Sequence, residues 1–272
     1  MRAVRDFTLE IYKELLIALQ QANYEFITFE QYCSLSAGAS LRSQSKVEAQ
    51  LMPKKFIILR HDVDLKAENS LETAKIEHSL SICASYYFRV VPQSDKPHII
   101  KQIADLGHEI GYHYEDLSLF KGDENQAITH FEEKLAYFRK FYPVRTICMH
   151  GTPASKIDNK NIWKSISYRD FGIIGEPYFD TDFNKIFYLT DTGRSWNGER
   201  FSVRDKVQTS FKQRFSTTKE IITATSHSNL PDKIMITTHP QRWTNNLVLW
   251  LWELVFQSFK NQIKQMLIKY SR

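Results

Sequence analysis

Four short apolar runs in this chain each end abruptly in histidine or aspartate, and this pattern restricts the possible folds more than any other feature. FIILR (56–60) runs into His61-Asp62-Val63-Asp64, and HEIGY (108–112) into His113-Tyr114-Glu115-Asp116. TICM (146–149) runs into His150-Gly151, and IMITT (234–238) into His239-Pro240. Runs of this length, rich in β-branched and aromatic residues, are strand formers. Between them lie stretches with apolar residues at helical spacing, at 68–80, 97–106 and 124–141. Strand alternating with helix at this rhythm predicts parallel strands joined by helical crossovers. In such folds the active site gathers at the C-terminal edge of the strands, because side chains from several strands converge there.

The remaining elements are read in the same way. A helix is expected over 7–21, a strand over 24–28, a strand over 84–91, a short helix near Ile162 and a long final helix over 245–270. Residues 172–174 and 186–190 are weaker strand candidates. The stretch SLSAGASLRSQS (34–45) reads as a mobile loop. The 272 residues are enough for one sizeable core. The expectation is one catalytic domain over 1–272: an N-terminal helix, strand and loop over 1–54, the strand–helix body over 55–245, and a C-terminal helix over 246–272.

Charge and cysteine content exclude several classes. The net charge of +5 comes from Lys and Arg scattered among acidic residues, with no basic run interleaved with aromatics, so no nucleic-acid partner is expected. Three widely spaced cysteines, Cys33, Cys83 and Cys148, form no CxxC pair and suggest a reducing compartment. The charged N-terminus lacks the apolar stretch of a secretion signal, and the most apolar segment, 247–256, is interrupted by Glu253. A cytoplasmic protein with no transmembrane segment is the expectation.

The strand-end residues suggest chemistry. Asp62 and Asp64 are two apart and share a face if the strand continues. Two close carboxylates repel unless one meets a cation and the other finds a hydrogen bond or a shifted pKa. A metal on one and a base role for the other satisfies both, whereas the plainer reading is a pair of caps for the following helix. His113, from a neighbouring strand, would complete an oxygen–nitrogen metal pair with Asp64. His150 and His239 singly read equally well as structural or functional. His108 reads as structural, and His78, His98, His130 and His227 receive no role.

The segments RHDVD (60–64), GHEIGYHYED (107–116) and ITTHP (236–240) resemble the motifs of the polysaccharide deacetylase family, over roughly residues 55–245. The resemblance implies a distorted (β/α) barrel of about seven parallel strands, an α/β fold with its site at the strand C-termini. It implies hydrolysis that removes an acetyl group from an N-acetylated sugar or glycan precursor, with a divalent metal, zinc, as cofactor. Carried over, Asp62 is the general base, Asp64 and His113 are metal ligands, and His239 is the general acid. The family's second ligand histidine falls at Leu117, which cannot bind a metal. His150 is the first candidate to replace it and Glu115 the second. Asp191 and Trp196 suggest the family's Asp-Trp element, and Met149-His150-Gly151-Thr152-Pro153 replaces its Arg-Pro-Pro-Tyr motif.

Tyr112, Tyr114, Trp196 and Trp243 are candidates for stacking on a sugar ring or for plain core packing. The departure at Leu117 keeps a metal-independent C–N hydrolase open as an alternative, and a non-catalytic glycan-binding relative as another. The final helix combines Trp250, Trp252, Phe256 and Phe259 with Lys260, Lys264, Lys269 and Arg272, so peripheral membrane contact through it is a further expectation.

Overall fold

The computed structural model describes residues 5–41, 52–151, 155–196 and 207–270. In chain order the elements are α1 (Leu9–Gln21), β1 (Glu25–Ile27), α2 (Phe29–Leu41), β2 (Phe56–Val63), α3 (Ala67–Ser79), β3 (Ser85–Phe88), α4 (Pro97–Asp105) and β4 (Glu109–Tyr114). Then come α5 (Asp116–Leu119), α6 (Glu124–Phe138), β5 (Ile147–Met149), α7 (Pro177–Asp180), β6 (Phe187–Thr190), α8 (Thr218–Ser226), β7 (Lys233–Thr238) and α9 (Leu247–Tyr270). Short 3-10 turns lie at Asn159–Lys164, Tyr168–Phe171 and Pro240–Arg242.

Among the described residues all seven strands are parallel, in the order β5-β4-β3-β2-β7-β6, with β1 pairing the first half of β2. Among the described residues β5 and β6 do not pair, and only one bridge, Thr146 to Gly175, continues the sheet beyond β5. The sheet nevertheless curls strongly. In a flat sheet, strands three apart stand about 14 Å from each other. Yet His150 Nε2 at the end of β5 lies 3.6 Å from Asp64 Oδ1 just past β2. The result is an open, distorted (β/α) barrel of seven strands.

Strand alternation sorts the side chains. Along β2, the odd positions Ile57, Leu59 and Val63 join the large core under the helices, while Phe56 and Ile58 join a smaller core with Ile27, Phe29, Phe183, Ile186 and Met235. Arg60 and Asp62 continue the Phe56–Ile58 face toward the C-terminal rim. This inner face is therefore apolar at the bottom and charged at the top. Gly111 keeps it passable: a Cβ there would lie 2.3 Å from the Tyr87 ring and 3.0 Å from Thr146 O.

His61 points to the opposite side, into a wholly buried polar cluster under α1 and α3. There Glu77 receives Tyr12 OH, stands 2.9 Å from His61 Nε2, and accepts Tyr86 OH at 2.8 Å. His61 Nδ1 meets Thr238 Oγ1 at 2.6 Å, which joins β2 to β7 directly behind the site. His108 accepts Ala84 N–H at Nδ1 and bonds Ala74 O through Nε2, as its structural reading expected. Removing one partner of such a cluster would strand a buried charge, at a cost of roughly 3–5 kcal/mol.

Two sequence expectations are corrected, and one that was open between two readings is resolved. The stretch 34–45 is not a loop as far as it is described: α2 runs through Leu41, and 42–45 lie outside the described residues. Its start is held by a reciprocal cap between Thr28 and Gln31, by Phe29 N–H to Ser85 Oγ and by Glu30 N–H to the buried Glu109. Cys33 packs so tightly that a Cβ on Gly175 would lie 2.3 Å from its sulfur. These contacts outweigh the poor helix propensity of the Ser- and Gly-rich segment. Residues 172–174 form no strand and follow the 3-10 turn at Tyr168–Phe171. Tyr112, Tyr114, Trp196 and Trp243 are all core residues and offer no open face to a sugar. Tyr112 donates to Asp116, and Tyr114 packs edge-on against Phe131 and Trp163.

Candidate metal centre and acid–base pair

Along the C-terminal rim, in sheet order, lie His150 after β5, His113 on β4, Arg89 after β3, Asp62 and Asp64 on and after β2, His239 after β7 and Asp191 after β6. Each of the five residues proposed from sequence, Asp62, Asp64, His113, His150 and His239, has a side-chain atom within 3.9 Å of another of the five.

Asp64 is the centre. Its Oδ1 is buried and accepts no hydrogen bond, while its Oδ2 accepts Gln241 Nε2 at 3.2 Å. His113 Nε2 stands 3.5 Å from Oδ1 and His150 Nε2 3.6 Å from it. Burial pushes the Asp64 carboxyl up, but the His113, His150 and His239 rings around it outweigh that and hold it well below the usual carboxylate range. An anionic oxygen with two imidazole nitrogens facing it, and no proton donor of its own, could hold a cation.

Both rings are set for ligation. His113 Nδ1 donates to the Cys148 carbonyl at 2.9 Å, and His150 Nδ1 donates to Glu115 Oε2 at 2.9 Å. In the ligating tautomer, with one proton on each Nδ1, both Nε2 lone pairs would face Asp64. Glu115 is in turn held by Arg89, whose Nε and Nη2 donate to Oε1 at 2.9 and 2.6 Å. Burial raises the Glu115 carboxyl, and His150 and Arg89 more than reverse this, bringing it down to about 2. Glu115 therefore stands behind His150, not beside Asp64. Leu117 packs in the hydrophobic core, 4% exposed, as its side chain dictates.

Asp64, His113 and His150 hold their ligand atoms within 4.8 Å of one another, and so do Asp62, His113 and Cys148. The first trio fits a divalent ion better. Asp62 is already neutralised by Arg60, which grips both its oxygens at 2.8 and 2.6 Å. The cysteine is no mean zinc ligand, but an ion there would displace or oppose the guanidinium. Asp62 lies 3.9 Å from His113 Nε2. Burial raises its carboxyl, and Arg60 first and His113 next bring it below the usual range, so it stays ionised.

His239 approaches from the other side, its Nε2 3.9 Å from Asp64 Oδ2. Its Nδ1 bonds Asp191 Oδ1 at 2.6 Å. Arg242 Nη1 also lies 2.8 Å from that nitrogen, but a guanidinium has only hydrogens to offer, so the Nδ1 proton belongs to the Asp191 bond. Asp191 accepts further from Arg242 at 2.5 Å, Trp243 Nε1 at 2.8 Å and His239 N–H at 3.0 Å. Burial raises Asp191, and Arg242 and His239 outweigh it, leaving its carboxyl below the usual range. The indole on Asp191 is thus Trp243. Trp196, the partner suggested by sequence, bonds Thr218 instead, because the turn at Pro240–Arg242 brings Trp243 over β6.

Sequence reasoning assigned no role to Arg60, Arg89, Gln241 or Arg242, all of which contact the site residues. Parity signals the first two: Arg60 shares the inner face with Asp62, and Arg89 is the next inward position after Tyr87. Gln241 and Arg242 sit on a turn that alternation does not reach. Residues 152 and 153 of the Met149-His150-Gly151-Thr152-Pro153 segment lie outside the described residues.

No family model and no curated protein matches the chain. Similar solved structures belong to carbohydrate esterase family 4. One is a CE4 family pseudoenzyme from Bacillus anthracis, 12% identical, covering 76% of this chain and 62% of that one, with a TM-score of 0.41. Another is Bacillus subtilis PdaA, a family 4 carbohydrate esterase, 10% identical, covering 83% and 84%, with a TM-score of 0.40. A third is the Xyl-CE4 domain of a multidomain xylanase from the hindgut metagenome of Trinervitermes trinervoides, 13% identical, covering 77% and 85%, with a TM-score of 0.36. The chain spans less than two thirds of the pseudoenzyme's length. These are the proteins the chain resembles, and the chemistry of its site is argued from its own side chains.

Proposed function

We propose that this protein is a metal-assisted hydrolase that removes an acetyl group from an N-acetylated sugar or glycan precursor. The observation that carries the reading is the orphaned Asp64 Oδ1 facing two Nε2 atoms, with a carboxylate on one side and an Asp-backed imidazole on the other. Asp64, His113 and His150 would hold a divalent ion, most simply zinc given one oxygen and two nitrogen donors. Bound there, the ion would supply Lewis acidity and lower the pKa of bound water from roughly 15.7 toward about 7.

The chain's own residues divide the proton work. Asp62, kept ionised by Arg60, accepts a proton from the attacking water. Its low pKa limits its strength as a base, and Arg60 compensates by fixing both oxygens in place. His239 donates a proton from Nε2 to the departing nitrogen, with Asp191 stabilising the imidazolium through Nδ1. Water and an acetamide become acetate and a free amine. The three free thiols, none in a disulfide, support a reducing compartment such as the cytoplasm.

The test is acetate release from N-acetylated chito-oligosaccharides by wild-type protein, stripped of metal and then reloaded with zinc. Release that returns with zinc supports the reading. Release by protein holding no metal establishes the metal-independent hydrolase. Glycan binding without release of acetate would make the chain a binding relative.

A further inference from the structure

The last helix is packed with its polarity reversed. Toward the body, α9 presents Glu253, 8% exposed, and Gln257, 4% exposed. Glu253 meets Lys66 at 3.4 Å, Gln257 bonds Asn261, and Asn261 Nδ2 donates to Gly193 O at 2.8 Å. Trp250 Nε1 donates to Asp6 O at 2.7 Å, and the Arg194 guanidinium covers its ring at 4.4 Å. Outward stand Val248, Trp252, Val255 and Phe259, 61–69% exposed, flanked by Leu251 and Phe256. A surface helix ordinarily does the opposite.

We propose that this outward face of α9 docks on the surface of an anionic lipid bilayer. The apolar positions from Leu251 round to Phe256 cover an arc of about 140° at 3.6 residues per turn, wider than the narrow seam of a coiled coil. Trp and Phe on such an arc, with Lys260 at its edge, make the pattern of a helix lying in the lipid interface. Lys260 is partly exposed and folds over the Phe256 ring at 4.2 Å. From Leu254 to the end of the sequence, Lys260, Lys264, Lys269 and Arg272 appear with no acidic residue among them. The acid of the helix, Glu253, is turned inward.

This charge distribution distinguishes a lipid surface from a second copy. Two such helices face to face would bring cations together with no acidic stripe to meet them, whereas anionic headgroups attract each lysine by about 1 kcal/mol. The helix lies on the bilayer instead of crossing it: no described helix is long and apolar enough to span one. Its contacts also place it beside the rim, through Lys66, two residues past Asp64, and through Gly193, two past Asp191. A docked α9 would hold the mouth of the site near the headgroups, within reach of a substrate carried on a lipid.

The test is co-sedimentation with vesicles of phosphatidylcholine alone or containing about 30 mol% phosphatidylglycerol. Wild type should pellet with the anionic vesicles, and less so in high salt. Trp252→Glu combined with Phe259→Glu should lower partitioning by about tenfold or more, with an unchanged thermal melt because both positions are exposed. Acetate release from a soluble oligosaccharide serves as an independent readout, so a failure here leaves the proposed chemistry standing. Wild type that stays in the supernatant with both vesicles overturns the proposal. So does a wild-type dimer in sedimentation velocity that the double variant splits, without vesicle binding by either, which would place a second copy on this face.

Discussion

Glu115→Gln is the substitution that most directly tests which side chain completes the proposed metal site. Glu115 accepts from two neighbours, one oxygen from Arg89 and the other from His150 Nδ1. A carboxamide has one acceptor and one donor, so Gln can serve only one of them. With its oxygen kept by Arg89, the amide NH2 faces His150 Nδ1 and favours the tautomer with its proton on Nε2, the form that cannot ligate. Outer partners of ligating histidines are worth roughly 10–100-fold in metal affinity, or about 1.4–2.7 kcal/mol, and the lost tautomer places this case toward the upper end. His150→Ala removes a ligand outright and should cost more than about 100-fold. Both variants, with wild type, are titrated with zinc against a chromophoric chelator at neutral pH. If Glu115→Gln loses metal as fully as His150→Ala, Glu115 is itself a ligand and the reasoning fails. If His150→Ala binds zinc as wild type does, the trio is wrong.

Asp62→Asn should keep zinc and lose activity on the order of 100-fold or more, whereas Asp64→Asn should lose the zinc; equal behaviour of the two in elemental analysis and acetate release would refute the division of labour. Asp191→Asn should retain metal but lower turnover by roughly 10²–10⁴-fold, because the amide no longer fixes the His239 tautomer; turnover unchanged within a factor of two would remove Asp191 from the mechanism. A pH effect should come from Glu176, which caps α7 and accepts the Met149 N–H at 3.0 Å. Burial raises its carboxyl from 4.5 to about 7, so folding favours the protonated form. That contribution is complete below pH 4.5 and is lost as pH rises through about 7. Wild type should therefore lose roughly 3 kcal/mol relative to Glu176→Gln between pH 4.5 and 8 in urea unfolding, and a difference that stays constant with pH would refute the assignment.

Much of this architecture was legible in the sequence because alternation does two jobs in a parallel sheet. It marks the strands, and it tells which side chains enter the barrel. FIILR continues as a strand through His61-Asp62-Val63, its inner face ending in Arg60 and Asp62 and its outer face in His61 and Val63. The same parity sends His113 and Glu115 inward and Tyr112 and Tyr114 outward, which is why the two tyrosines are core residues and not sugar platforms. What alternation could not show is anything set by a turn or by distant packing. Trp243 and Arg242 reach Asp191 from a 3-10 turn, and no spacing rule connects residue 191 with residue 243. The helix over Phe29–Leu41 was illegible for a related reason: Ser85 and Glu109, far along the chain, supply the donors and acceptors that anchor it.

The departure at Leu117 carries its own argument. A leucine in the first turn after β4 cannot ligate, and in the structure it joins the core. A site that had merely decayed there would leave Asp64 and His113 with an unsupported gap. Instead His150 arrives from the neighbouring strand with its Nε2 at the same oxygen that His113 faces, and with a carboxylate behind its Nδ1. That carboxylate, Glu115, is two residues past His113 on the same inward face, and Arg89 from the next strand neutralises it. Half-burying the Glu115–Arg89 ion pair has little stabilising logic for a barrel that only needs to fold, since apolar side chains of similar volume would serve at least as well. The cluster is the support that the proposed metal site requires behind His150, and on the opposite side Asp191 and Arg242 are buried behind His239, the proposed acid.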